Sequence, residues 1–410
     1  MSRSRTETSL AVLAIAIGLV LTAIVGLFAY MNATAKPLHA DPEKVPSTSR
    51  LMSREWADPA EQGIRRAREA LIAQNLPGLS VAVGVDGQIV WAGGLGYADL
   101  EKRAPVRLET QFRIGEVSNA LTSAGVGLLL EKHKLNLDDE IQTYVPAYPK
   151  KQWPVTLREL MAYQSGIQND EGDEEPIHEP CERTIDGLRR FATHQLLFEP
   201  GTQYHPSSYG WILVSAAAEA AAGEPFFVFM RTQVFEPLRM TATQPGFWKD
   251  SIPDRATFYF PRFAGDTKYG PDLAREGDHS CSAGGGAFLS TPSDLVRFGM
   301  AISSGRLLAP ATVETLQTPQ RLKSGQQTAY GLGWNIETVT LAGKTARMTS
   351  HGTKDDFIGG TASLLTFPER GLVVAVTSNT SFADTLSIAR QIADLFAREE
   401  APSPTGRHTP

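Results

Sequence analysis

The chain has 410 residues, a net charge of −6, 42% hydrophobic and 20% charged residues. These are globular values, with ample length to bury a core. Basic residues are scattered along an acidic chain, which excludes nucleic acid as a partner.

Leu10 to Tyr30 is an uncharged apolar run, matching the roughly 20 residues that cross a bilayer. Arg3 and Arg5 precede it, and the positive-inside rule keeps that end in the cytoplasm. The expectation is a cytoplasmic tip over residues 1–9 and a single transmembrane anchor over 10–31 in the cell's inner membrane. The remainder lies on the periplasmic or extracellular side. Ala33-Thr34-Ala35 also resembles a signal-peptidase site, but the apolar run exceeds the usual ~7–15 residue signal core, which favours the anchor. Residues 32–58 read as a tether, because Lys36 to Arg50 is rich in Pro, Ser and charge. Residues 59–400 form the exported domain and 401–410 a disordered tail.

Pro59 to Asn75 carries Ile64, Ala67, Leu71 and Ile72 at helical spacing. Leu79 to Val85 alternates as a strand, Asp86-Gly87 makes a two-residue turn, and Gln88 to Ala92 returns. The C-terminal end mirrors this with strands Thr361–Phe367 and Leu372–Ser378 around Pro368-Glu369-Arg370-Gly371, then a helix from Asp384 to Arg398. Val117 to about Phe298 is mostly helical with long loops. The layout is α+β, with one antiparallel sheet built from both termini, flanking helices and an inserted helical subdomain.

Phe112-Arg113-Ile114-Gly115-Glu116-Val117-Ser118-Asn119 carries the chemical information. It is similar to the Phe-Arg-Ile-Gly-Ser-x-Ser-Lys segment of penicillin-recognising serine hydrolases. That superfamily holds class C β-lactamases, D-alanyl-D-alanine carboxypeptidases and β-lactamase-like esterases. The resemblance spans roughly residues 60–400. It continues through Val155–Met161, Ser165-Gly166-Ile167, Phe198–Gly201, Phe235–Met240, Ala283–Gly286, Ser290–Leu295 and Tyr330–Trp334. It implies the β-lactamase/transpeptidase-like fold.

The resemblance also implies where chemistry belongs. The nucleophile and base of Ser-x-x-Lys fall on Glu116 and Asn119, and no Ser-x-x-Lys occurs in the chain. A serine hydroxyl needs a base on the same helix face; Asn119 has no titratable group. Ser118 lies about 200° around the helix from Glu116 and should point elsewhere. The family's Tyr-x-Asn falls on Pro206-Ser207-Ser208. Pro206 exchanges no proton, whereas Ser208 keeps a hydroxyl. Tyr204 and Tyr209 are out of register, Tyr209 suiting packing or ligand contact. The Lys-Thr-Gly or His-x-Gly motif, on the sheet's edge strand in the family, matches His351-Gly352-Thr353, so Gly352 and Thr353 are candidate ligand contacts.

No cofactor is implied. The acidic stretch Asn169 to Glu179 lacks metal-ligand spacing and reads as a solvated loop, and no Cys-x-x-Cys occurs. Cys181 and Cys281 are the only cysteines; a disulfide and two buried thiols remain open. Two functional readings follow. The first is a membrane-anchored, catalytically impaired pseudo-hydrolase that keeps a cleft for a small-molecule or peptide ligand, or acts as a scaffold. The alternative is an active ester or amide hydrolase with Glu116 as base and His351 as proton carrier. An ordinary hydrolase in another register is disfavoured, because Phe112–Gly115 and Gly127–Glu131 fix the register without gaps.

Overall fold

Both terminal hairpins read from the sequence form, and they belong to one sheet. The computed structural model describes residues 3–169, 180–247, 251–263, 265–275, 277–352 and 359–397, with side chains from residue 12 onward. Seven strands make the main path of the sheet: β1 (Ser47–Leu51), β2 (Gly78–Val85), β3 (Gln88–Asp99), β4 (Asn335–Leu341), β5 (Lys344–His351), β6 (Thr361–Phe367) and β7 (Leu372–Ser378). Their order is β1-β3-β2-β7-β6-β5-β4, and neighbours run antiparallel. Asp86 (φ 48°) and Gly87 (φ 82°) supply the two left-handed residues that the β2–β3 turn demands.

The central strands are buried on both faces because alternate residues feed two cores. Val81, Val83, Leu365, Val374 and Val376 meet the helices Ala57–Ala73 and Thr385–Ala397. Ala82, Ala92, Leu364, Val373 and Ala375 join the opposite core with the helix Pro292–Ser303 and the helical subdomain. Trp91 and Trp56 stack on Phe396 at 5.8 and 5.7 Å, locking the helices Ala57–Ala73 and Thr385–Ala397 to the sheet.

Many of the matched motifs are structural. Thr156 and Glu159 form a reciprocal capping box on Leu157–Met161. Thr291 caps Pro292–Ser303 by accepting from the Asp294 N–H at 3.2 Å. A Cβ on Gly284 would run into Thr122 and Ser215, so this glycine lets the helices Val117–Glu131 and Ser208–Ala222 approach the same loop.

Two expectations are corrected. Residues 32–58 are not a free tether. Ser47–Leu51 pairs with β3 from Ser47↔Leu95 to Leu51↔Trp91, and the Leu38 N–H donates to Asn75 Oδ1 at 2.7 Å. His39 bonds the Leu76 carbonyl at 2.8 Å and Val45 is buried. The segment docks because the outer side of β3 offers unpaired backbone groups that a strand satisfies. Nor is β5 the sheet's edge strand: β4 covers it from Lys344 to Ser350, leaving His351 just past the last β4 partner.

Cys181 and Cys281 form a disulfide with 4.9 Å between Cα atoms. The apolar N-terminal run is one helix, Arg3–Thr34, with a candidate span over Val12–Thr34. A chain beginning at Met52 should unfold at least roughly 5 °C below one beginning at Lys36, because it loses β1 and the Leu38, His39 and Val45 contacts. Equal thermal midpoints by calorimetry would return the segment to a tether.

Candidate functional site

The sheet, the helix Val117–Glu131 and the loop before Ser208 converge on Glu116. Phe112–Arg113 pairs with Leu289 and Ser290, and the Ile114 N–H donates to the Phe288 carbonyl at 3.2 Å. Gly115 then turns with φ 49°, placing Glu116 at the head of the helix. The Glu116 side chain does not cap that helix and is half-buried. Ser118 and Asn119 lie inside, both 0% exposed. Ser118 Oγ finds no hydrogen-bond partner among the described residues, consistent with a side chain turned into the core rather than beside Glu116. Asn119 donates from Nδ2 to the Tyr163 hydroxyl at 2.8 Å, while its Oδ1 has no partner among the described residues.

Three tyrosines surround this point. Tyr163 follows the short helix Leu157–Met161 in a left-handed conformation, φ 58°. Such a backbone costs a bulky residue on the order of 1–3 kcal/mol, and here it turns the ring back onto its neighbours. Tyr163 stacks on Tyr330 at 4.6 Å and meets the edge of Tyr204 at 6.0 Å; Tyr204 and Tyr330 are 5.9 Å apart. Tyr163 and Tyr330 are buried, while Tyr204 is 41% exposed and forms the outer wall. Burial first, and then the Glu116 charge, pushes Tyr204 up to about 12. Tyr163 is raised by burial and then by Glu116. Tyr330 is raised by burial, then by Tyr204 and Glu116. A carboxylate beside a phenol opposes a second negative charge, so all three hydroxyls stay protonated at neutral pH. Each keeps its own proton, so none of them is a base at neutral pH.

His351 ends β5 and is buried. Its Nε2 lies 3.0 Å from the Tyr330 hydroxyl and its Nδ1 accepts the Gly352 N–H at 2.8 Å. An accepting Nδ1 leaves the proton on Nε2, which then donates to Tyr330. Burial lowers His351 to about 3, so it is neutral in this site. Gly352 has φ 121°, and a Cβ there would collide with the Ala362 backbone, so its glycine serves the strand's close approach. With its N–H given to His351, Gly352 has no free donor for a ligand.

The other expected positions fall differently. Pro206 is exposed in the irregular stretch before Ser208–Ala222. Ser208 opens that helix, and its backbone N–H donates to Asn169 Oδ1 at 2.8 Å. Tyr209 is corrected as a ligand contact: it is 2% exposed and stacks on Phe191 at 4.8 Å, beneath the Arg190 guanidinium. One helix turns successive residues about 100° apart, so Ser208 and Tyr209 cannot both face the site. Thr353 lies outside the described residues, as do Lys354 to Ile358 and Asp170 to Glu179.

The beta-lactamase family model matches residues 61–397. The chain belongs to that family. It is 27% identical over 429 residues to the human "Serine beta-lactamase-like protein LACTB, mitochondrial", covering 79% of this chain and 77% of the relative. It is also 27% identical over 279 residues to Penicillin-binding protein 4* of Bacillus subtilis, covering 65% and 60%. Among solved structures, the octameric penicillin-binding protein homologue of Pyrococcus abyssi superposes with TM-score 0.68 at 22% identity. The match covers 82% of this chain and 77% of that one. The D-amino acid amidase of Ochrobactrum anthropi gives TM-score 0.63 at 22% identity, covering 82% and 97%. At these identities the structures share the fold, and the activities in their names are theirs.

Sequence reasoning missed Tyr163 and Tyr330 and set Tyr204 aside as out of register. Tyr163 sits in Met161-Ala162-Tyr163-Gln164-Ser165-Gly166 and Tyr330 in Tyr330–Trp334. Two phenols inside matched motifs were the available signal.

The histidine provides a pH test. An unfolded-chain histidine takes its proton near the ordinary 6.5, whereas His351 resists until about 3. The unfolded state therefore binds the extra proton between those values, and stability falls as pH falls through that window. Between pH 7 and pH 4.5 this contribution is on the order of 2–3 kcal/mol. His351→Gln should be less stable at pH 7, but should lose about 2 kcal/mol less over that interval in urea unfolding. His279, buried and lowered in the same direction, contributes to both proteins alike. Equal losses in the two proteins would contradict a buried neutral His351.

Proposed function

We propose that this family member is a catalytically impaired pseudo-hydrolase, held at a membrane, whose cleft binds a small-molecule or peptide ligand or serves as a scaffold. The observation that carries the reading is the fate of the base position. Asn119 is buried and donates its amide to Tyr163, and no phenol around Glu116 can replace the missing base, because each is held protonated. Acyl transfer needs a nucleophile and a group that takes its proton; neither role has an occupant here.

The rearranged-enzyme alternative asks His351 to carry protons. A histidine lowered to about 3, donating to Tyr330 and accepting from its own neighbour's N–H, is poorly suited to that. Glu116 sits at a helix N-terminus, where the helix dipole favours a negative charge.

For location, we infer that the Arg3–Thr34 helix is retained as an anchor with the domain outside the cytoplasm. Met31 is buried, Tyr30 meets Phe263 at 6.3 Å, and the Thr34 carbonyl accepts from Arg262 at 3.4 Å. Cleavage after Ala35 would discard these contacts. The disulfide supports an oxidising compartment.

Intact-mass spectrometry after a fluorophosphonate and after a penicillin should show no stoichiometric adduct. Glu116→Ser alone should leave nitrophenyl acetate hydrolysis at background, whereas Glu116→Ser with Asn119→Lys and Pro206→Tyr should raise it measurably, since these groups act as a unit. An adduct on the wild type, or wild-type turnover abolished by Glu116→Gln, would replace this reading with an active hydrolase.

A further inference from the structure

Beside the anchor's exit lies a cleft that the degenerate site does not use. Its volume is about 510 Å³, within the range of small-ligand sites. Among the described residues, Lys102, Arg113, Arg255 and Arg275 line it against one acid, Asp99. Asp99 is already answered by Lys102 Nζ at 3.1 Å and the Thr257 hydroxyl at 2.9 Å. The Arg113 guanidinium lies over the Phe258 ring at 4.2 Å. Arg255 and Arg275 are exposed and make no ion pair among the described residues. The rim is apolar at Leu273, which is 69% exposed. The site combines cationic forks with an exposed aliphatic side chain at one edge.

Its place relative to the membrane follows from the hairpin that forms one wall. Strands Tyr259–Pro261 and Pro271–Leu273 pair from Pro261↔Pro271 to Tyr259↔Leu273. The first end adjoins Arg262 and Phe263, which hold Thr34 and Tyr30 of the anchor. Leu273 stands at the other end, two residues along from Pro271, or about 7 Å at strand rise. The candidate span ends at Thr34, so the hydrocarbon boundary lies near Tyr30 and Thr34, and headgroups extend some 5–8 Å beyond it. The Phe263–Tyr269 pair at 6.0 Å, next to Tyr30, supplies aromatic rings at that level. The docked residues 36–39 leave little slack, since the Asn75 amide holds both the Lys36 and the Lys268 carbonyls at 3.3 Å.

We propose that this cleft binds the headgroup of an anionic phospholipid, with Arg255 and Arg275 on the phosphate and Leu273 against the acyl chain. It rests on the anchored reading above. It goes beyond that reading by making the domain a lipid-selective body seated on the bilayer rather than one suspended over it. A guanidinium presents paired N–H donors that match phosphate oxygens. A zwitterionic lipid brings a compensating ammonium and is disfavoured there.

The test uses the full chain in a non-ionic detergent, with phosphatidylglycerol and phosphatidylcholine titrated separately and bound lipid read by native mass spectrometry. Phosphatidylglycerol should be retained in preference to phosphatidylcholine, and inorganic phosphate at matching concentration should not displace it. Arg255→Gln with Arg275→Gln should weaken it roughly thirtyfold, at about 1 kcal/mol per basic group. Leu273→Asp, a surface change, should weaken it independently, so the result does not depend on one variant's folding. Equal retention of both lipids, unchanged affinity in the variants, or displacement by phosphate would overturn the proposal. Alkaline extraction of membranes reports anchorage separately: a chain that stays in the pellet without lipid selectivity defeats the cleft and spares the anchor, and release into the supernatant defeats the anchor.

Discussion

The ladder between Gly78–Val85 and Leu372–Ser378 is the constraint from which the rest of the molecule follows. It closes on a hydrogen bond from Ser378 Oγ to the Gly78 carbonyl at 2.8 Å, across 300 positions of sequence. Such a pairing carries a large loop-closure cost, offset by two buried faces whose alternate residues fill two separate cores. Once it forms, β6 and β5 extend the sheet and carry His351 toward the helix Val117–Glu131. The helical subdomain, inserted between the two hairpins, then delivers Tyr163 and Tyr204 from the other side. The site is a seam between sheet and subdomain, and no single element contains it.

Within that seam one charge sets the electrostatics. Glu116 stands where the family places a neutral hydroxyl, and its influence reaches three phenols. A cation near a tyrosine favours phenolate; an anion does the reverse. Burial already holds these phenols protonated, and a carboxylate at the nucleophile position adds to that. Asn119 is fitted to this state, since a neutral amide can donate to a protonated Tyr163 without an uncompensated buried charge. The substitutions form a consistent set: the packing that holds the site is retained, and the positions of the family's nucleophile and base carry Glu116 and Asn119.

The hairpins were readable because their information is local. Thr361–Phe367 and Leu372–Ser378 have the bounds that alternation and the Pro368–Gly371 turn gave them. The docking of Ser47–Leu51 was not readable: Pro, Ser and charge describe a flexible segment unless the open edge of β3 is known. Asn335–Leu341 also escaped notice, because six of its seven residues are polar or only half-buried at the rim. At the site, the matched motifs located Glu116, Asn119 and His351. Yet the Tyr163–Tyr330 stack joins distant segments and leaves no periodic signal. Tyr204 lies outside the Tyr-x-Asn register that falls on Pro206–Ser208, and a register count does not fix side chains in the irregular stretch before Ser208.

The most direct measurement of the central claim is the ionisation of Tyr204, followed by NMR of tyrosine labelled at the ring carbon bearing the hydroxyl, in the wild type and in Glu116→Gln. Assignment rests on loss of one resonance in Tyr204→Phe. The wild-type phenol should remain protonated through neutral and mildly alkaline pH and titrate near 12, and removing the Glu116 charge should move that titration to lower pH. A Tyr204 that ionises near neutrality in the wild type, or one indifferent to Glu116→Gln, would contradict the account.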